Sequence, residues 1–354
     1  MREKLSAETK LVLLCSRMEP DDAAREEILS VLALKPDWQK VTGLAGHHKV
    51  LPLLCRNLLR FSPPGAIPGK ILDLLKDHYH VNLARNIRIQ KEMTAIFSRS
   101  AGITSPVPFK GFGLLQTVYA RDPGLRMLTD VDLLDDGTGK ISGILAGLGY
   151  EGFAGNHGDT TVFNRQVSAN LNLVIDVHTA LGTGRPYRIH LPLLMARTRM
   201  VNVDGTAVPC LSDEDSLLGL ALHMRRHTRK LTLKFFVDIA ESLNAGGDRL
   251  DWDYIRNAAR ENHISSTLHT ALYLAQELLD ARIPREAASL RPGQFKSASI
   301  RALVNRGNFF SLGRKGGTLL RLLLFDRLGD LMLYSYRISL WERVIKRHLA
   351  HRTR

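Results

Sequence analysis

The stretch from Gly102 to His178 leaves this chain little choice of fold. A short β-like run, Ile103 to Phe109, passes through Lys110-Gly111 into a helical stretch ending near Ala120. A second run, from Arg126 to Leu134, reads as a strand and closes at the turn Asp135-Asp136-Gly137. Ile141 to Leu148 reads as a helix stopped by Gly149, and Thr160 to Asn164 and Leu171 to His178 read as further strands. Strands alternating with short helices over so few residues predict a small mixed α/β unit.

The flanks have a different texture. Ala23 to Leu34, Trp38 to Leu44, Val50 to Leu59 and Gly69 to Ser98 read as helices. In the last of these, Ile71, Leu74, Leu75, Tyr79, Leu83 and Ile87 recur near helical spacing. From Leu191 onward the pattern is expected to be helical again. Ser212-Asp213-Glu214-Asp215 has capping-box spacing, and Leu233 to Leu243, Trp252 to Asn262 and Ser265 to Leu279 follow. We expect four parts: a helical domain at 1–100, an α/β core at 101–190, a helical domain at 191–290 and a basic helical tail at 291–354.

Charge separates that tail from the rest. The whole chain carries 49 Lys and Arg against 35 Asp and Glu, and residues 291–354 account for 14 of the bases and 3 of the acids. The basic surplus therefore types the tail alone, where solvated helix faces, a nucleic-acid surface or an anionic-membrane contact all fit. Three widely spaced cysteines, Cys15, Cys55 and Cys210, form no CxxC and fit a reducing compartment. No run of 18 apolar residues occurs, so no transmembrane segment is expected, and the chain is read as cytoplasmic.

The chemistry is expected at the carboxylates. In Asp130-Val131-Asp132 the two acids are two apart, so on a strand they point the same way. Side by side they repel, and a divalent cation relieves the repulsion; hard oxygen donors suit Mg²⁺ or Mn²⁺. A third acid, Asp176, stands in the apolar strand Leu173-Val174-Ile175-Asp176-Val177-His178. Burying it there is costly without a partner. If the two strands are neighbours, the three acids converge on metal, as phosphoryl transfer by two ions requires.

Lys110-Gly111 is the natural phosphate holder, because glycine admits close backbone approach and a helix start offers free N–H groups. Arg126 could reach a phosphate or pair with the acids. His223 and His227 share a helix face. They are either packed core histidines or, with Arg226 beside them and Asp238 orienting an imidazole, the border of a nucleotide cleft. Met224-Arg225-Arg226 between them departs from the zinc motif HExxH. His178 is read as a neighbour that supports the metal acids.

At these residues the sequence resembles the uncharacterised nucleotidyltransferase group of the DNA polymerase β-like superfamily. The similarity lies in Phe109-Lys110-Gly111, Arg126-x-x-x-Asp130-x-Asp132-Leu133-Leu134, Gly149-Tyr150 and Ile175-Asp176-Val177-His178. It extends to Trp38–Leu54 and to Leu217-Leu218, His223, His227, Asp238 and Asp251-Trp252, covering roughly residues 10 to 290. The resemblance implies an α+β fold, a small mixed-sheet nucleotidyltransferase core between helical domains. It implies Asp130, Asp132 and Asp176 as catalytic, metal-binding carboxylates, and Lys110-Gly111 where the superfamily usually has Gly-Ser. Lys110, Gly111, Arg126, His223 and His227 are then the nucleotide-binding candidates. The expected function is Mg²⁺- or Mn²⁺-dependent transfer of a nucleoside monophosphate from an NTP such as ATP to an acceptor of unknown kind, a small molecule, peptide or RNA. The alternative is an inactive module of the same fold that binds nucleic acid or an anionic membrane through its tail.

Overall fold

The first three helices start at side-chain caps. In the computed structural model, which describes residues 5–155, 160–181, 191–305 and 309–336, Ser6, Asp21 and Asp37 accept hydrogen bonds from backbone N–H groups of the turns they open. They begin α1 (Ala7–Leu14), α2 (Asp22–Ala33) and α3 (Trp38–His47). Then come α4 (Leu51–Phe61) and the 32-residue α5 (Gly69–Ser100). The buried face of α5 corrects the expected stripe. Beyond Leu75 it runs through Asn82, Asn86, Ile89 and Met93, while Leu74 and Ile87 are exposed. The two asparagines are buried because they have backbone to hold, as described below.

The α/β unit begins with β1 (Val107–Phe109), α6 (Lys110–Thr117), β2 (Val131–Leu134) and α7 (Lys140–Gly147). It continues with β3 (Glu151–Ala154), β4 (Thr160–Ser168) and β5 (Leu171–His178). These strands form one mixed sheet in the order β1-β2-β5-β4-β3, in which β2 and β5 run parallel and the other neighbours antiparallel. The expected α+β fold is the observed one. The strand expected from Arg126 is shorter, however, since Pro123–Leu125 forms a 3₁₀ turn and pairing starts only at Val131.

After α8 (Leu191–Ala196) a hairpin appears where only helices were expected, β6 (Arg199–Val203) and β7 (Thr206–Cys210). Its turn is Asp204-Gly205, both at positive φ, the combination a two-residue hairpin loop requires. The helical pattern then resumes with α9 (Asp213–Arg226), capped by Ser212 Oγ accepting from the Asp215 N–H at 3.1 Å. Next are α10 (Leu233–Gly246), α11 (Trp252–Glu261) and α12 (Ser265–Leu279).

The basic C-terminal segment is not wholly outside this body. Helices α13 (Gln294–Val304) and α14 (Gly313–Leu323) deliver Ile300, Val304, Leu320 and Leu324 to the core, with Phe309 between them. Phe309 lies 5.8 Å from the His48 ring and 5.4 Å from Phe236. α14 approaches the 3₁₀ turn Thr228–Lys230 so closely that a Cβ on Gly317 would stand 2.1 Å from the Thr228 carbonyl. Only glycine fits there. Residues 337–354, with most of the remaining tail charge, lie outside the described residues.

Candidate active site

The parallel β2–β5 ladder places Asp132 directly opposite Asp176. Side chains of paired residues emerge on the same face, so the two acids expected to converge do so. His178, two residues on and on the same face, completes a group: Asp132, Asp176 and His178 offer ligand atoms all within 4.8 Å of one another. Asp130 is placed differently. It lies one residue before β2, half-buried, with its carboxylate accepting from Thr129 Oγ1 at 2.8 Å, and it stands outside that group.

Asp132 is 7% exposed, and its Oδ1 accepts from Lys110 Nζ at 2.6 Å and from His178 Nε2 at 2.8 Å. Burial works against its charged form, yet the Lys110 ammonium and then the His178 ring outweigh it, so the carboxyl is held well below the ordinary range. For Asp176 the balance reverses. Burial, then the negative charge of Asp132, raise its pKa. The pKa values of two neighbouring carboxyls are thus pushed apart, one down and one up. Two carboxylates and an imidazole, with the Lys110 ammonium leaving one surplus negative charge, suit a hard divalent cation, so the donor set fits the ion expected from the sequence.

Lys110 is the first residue of α6 and has φ 53°, a left-handed conformation rarely taken by lysine. The Asp132 ion pair and the Phe109 ring 4.4 Å from its Nζ hold it there. A Cβ on the following Gly111 would stand 3.0 Å from both Arg126 Nη1 and Leu128 Cδ2, so a larger residue there would have to push those side chains aside.

Arg126 pairs with an acid, though with none of the three expected at the site. Its Nε and Nη2 donate to the two oxygens of Asp238 at 2.9 and 2.8 Å, and Tyr119 donates to the same carboxylate at 3.0 Å. The Arg126–Asp238 pair corrects the expectation that Asp238 orients an imidazole: a bidentate guanidinium already occupies both its oxygens. Arg126 Nη1, buried beside Gly111, has no hydrogen-bond partner among the described residues.

The His223 and His227 rings lie 4.5 Å apart, tilted by 58°, and both pack on the Phe235 ring, at 5.1 and 5.6 Å. Burial, then the Lys110 charge, lower the pKa of His223; burial and then Arg226 bring His227 down to about 4. Both are neutral imidazoles near neutral pH, close enough to Asp132 for its charge to act on them. His223 Nδ1 is buried with no hydrogen-bond partner among the described residues.

Three further residues carry weight that the sequence pattern did not reveal. Asn82 donates to the carbonyls of Gly124 and Arg126 at 2.7 and 3.1 Å, and Asn86 to those of Pro123 and Arg126 at 2.6 and 2.7 Å. One turn apart on α5, they clamp the loop that carries Asp130 into β2. Their spacing was the available signal, two amides on one face of an otherwise apolar stripe. Lys234, at the start of α10, stands near Arg126 and Asp130. A lone lysine in a helix's first turn offers no such cue.

A family model described as uncharacterised nucleotidyltransferase matches residues 35–280. Among solved structures, the chain is similar to an antigenic nucleotidyltransferase-like protein from Paracoccidioides brasiliensis, at 17% identity and a TM-score of 0.40, over 57% of this chain and 97% of that one. No curated protein matches it.

Proposed function

This chain belongs to the uncharacterised nucleotidyltransferase family, and we propose that it moves a nucleoside monophosphate from an NTP to an acceptor in the Asp132–Asp176 site. The observation that carries this reading is the facing of those two acids across a parallel ladder, with Lys110 on one of them. In the reaction an acceptor oxygen or nitrogen attacks the α-phosphorus. A new bond to phosphorus forms, the α–β phosphoanhydride bond breaks, and pyrophosphate leaves with its electron pair. A divalent cation, Mg²⁺ or Mn²⁺, bound by Asp132 and Asp176 with Asp130 alongside would neutralise the charge of the triphosphate.

The chain's own residues do the rest. His178 Nε2 and Lys110 Nζ fix the Asp132 carboxylate from one side. Lys110 and the Gly111 backbone face the phosphates. Asp176, whose pKa is raised by burial and then by the Asp132 charge, takes the acceptor's proton at a carboxylate oxygen. The four-part division of the chain, with the site in the α/β part, belongs to the same proposal. The test is incubation of the protein with each α-labelled NTP, Mg²⁺ and a cell extract. Label should pass to an acceptor with one or more of the four nucleotides. No metal-dependent transfer or turnover with any of them would refute the reading.

A second reading concerns the C-terminal segment. Arg314, Lys315 and Arg327 are exposed beside the exposed Leu319, Leu328 and Met332, a mixture suited to polyanion contact. Exchanging these three bases for Gln should weaken binding to RNA or anionic vesicles and flatten its dependence on salt. An unchanged salt slope would leave them as solvated surface.

A further inference from the structure

Two cationic side chains beside the candidate site lack the partners their burial calls for. Arg126 is 5% exposed, and Asp238 satisfies only two of its three nitrogens. Nη1 is left over, buried, against the spot that Gly111 keeps clear of a side chain. Lys234 is half-buried and has no carboxylate within 4.0 Å among the described residues; its ammonium's one hydrogen bond is a long 3.5 Å contact to the Met127 carbonyl. Asp238 and Asp130 both act on Lys234, but Asp238 is taken up by Arg126 and neither carboxylate comes within 4.0 Å of the ammonium. Burial, then repulsion from Arg126, bring Lys234 down to about 8, as expected for a cation short of an anion.

The position of Lys234 is built rather than incidental. At the start of α10 the Leu233 N–H donates to His48 Nδ1 at 3.2 Å and the Lys234 N–H to the His48 carbonyl at 3.3 Å. His48 is itself stacked on Phe309. The helix start that carries Lys234 is thereby fixed to two other parts of the chain.

Lys110, the cation nearest the acids, is already engaged by Asp132. A triphosphate entering this site therefore needs other donors for its terminal oxygens. We propose that Lys234 Nζ and Arg126 Nη1 form a subsite for the β- and γ-phosphates of a nucleoside triphosphate, the outer end of the nucleotide whose α-phosphate lies at Asp132 and Asp176. The subsite rests on the nucleotidyl-transfer reading and adds a consequence to it: selectivity for triphosphate over monophosphate resides in Lys234. A desolvated cation is expensive without an anion, and phosphate oxygens are the acceptors that match an ammonium and a guanidinium edge.

The test is nucleotide affinity, measured by calorimetry on the full chain with Mg²⁺. The probes are the four α,β-methylene NTPs, which cannot transfer, and the four monophosphates. Lys234→Ala should weaken the favoured triphosphate analogue roughly 10- to 100-fold and its monophosphate less than about 3-fold. Lys234→Arg should restore most of the triphosphate affinity. Lys234→Met, which keeps the stem, serves if the alanine variant melts early by circular dichroism. Unchanged triphosphate affinity in a folded Ala or Met variant, or equal losses for mono- and triphosphate, would overturn the subsite while the transfer reading stands. Wild-type protein that binds none of the triphosphate analogues would overturn both.

Discussion

Asp132→Asn should lower nucleotidyl transfer by roughly 10³-fold or more while the protein stays folded. Asparagine keeps the volume of the side chain and an oxygen within reach of Lys110 Nζ and His178 Nε2, now 2.6 and 2.8 Å from Asp132 Oδ1. The packing of β2 between β1 and β5 is untouched. What is lost is charge. One of the two facing carboxylates proposed to hold the cation becomes neutral, and Lys110 is left without its anion. The Asp176 carboxyl, relieved of the Asp132 charge, should titrate at lower pH than in the wild type, although burial still raises it. Transfer of label from an α-labelled NTP, with far-UV circular dichroism on the same sample, checks the first part. Carboxyl-carbon NMR checks the second. A folded variant working at the wild-type rate would remove Asp132 from the mechanism.

Asp238→Ala should cost about 3–5 kcal/mol of stability, the usual result of stripping one partner from a buried ion pair. Asp238 is 2% exposed, and arginine cannot escape by losing its proton. The variant leaves the Arg126 guanidinium buried with no counterion and takes the acceptor from the Tyr119 hydroxyl. Asp238→Asn should cost less, since it keeps one acceptor in place. The midpoint of urea unfolding at constant m-value measures both. A loss under about 1 kcal/mol for the alanine variant would mean that water reaches Arg126 and the pair is not closed. Because Asp238 on α10 grips Arg126, which leads into β2, the variant should also slow transfer in whatever fraction remains folded.

Much of the site was legible because its code is local. Lys110-Gly111 opens a helix, and Asp132 and Asp176 occupy strands whose patterns are visible in four to eight residues. Asp130 was harder. Alternation along a strand predicts that it shares a face with Asp132, but β2 begins only at Val131, and before it Asn82 and Asn86 hold the Arg126 carbonyl towards α5. The hairpin at Arg199–Cys210 was missed despite a readable turn in Asp204-Gly205. Its flanking residues lack a strict apolar alternation, and the helical texture around it prevailed.

By itself, then, the sequence determined most of the elements and set Asp132 and Asp176 on strands, because periods of 2 and 3.6 residues are written locally. The tertiary structure decided the partnerships. Nothing within reach of Arg126 along the chain says that its anion is Asp238, 112 residues away, rather than Asp130 or Asp132. The same holds for Lys234, whose neighbours are set by how α10 lies against the loop before β2. Charged side chains are long and their attraction carries no sequence period. Which cation meets which anion is therefore settled only when burial removes water and leaves each group the few neighbours that packing allows.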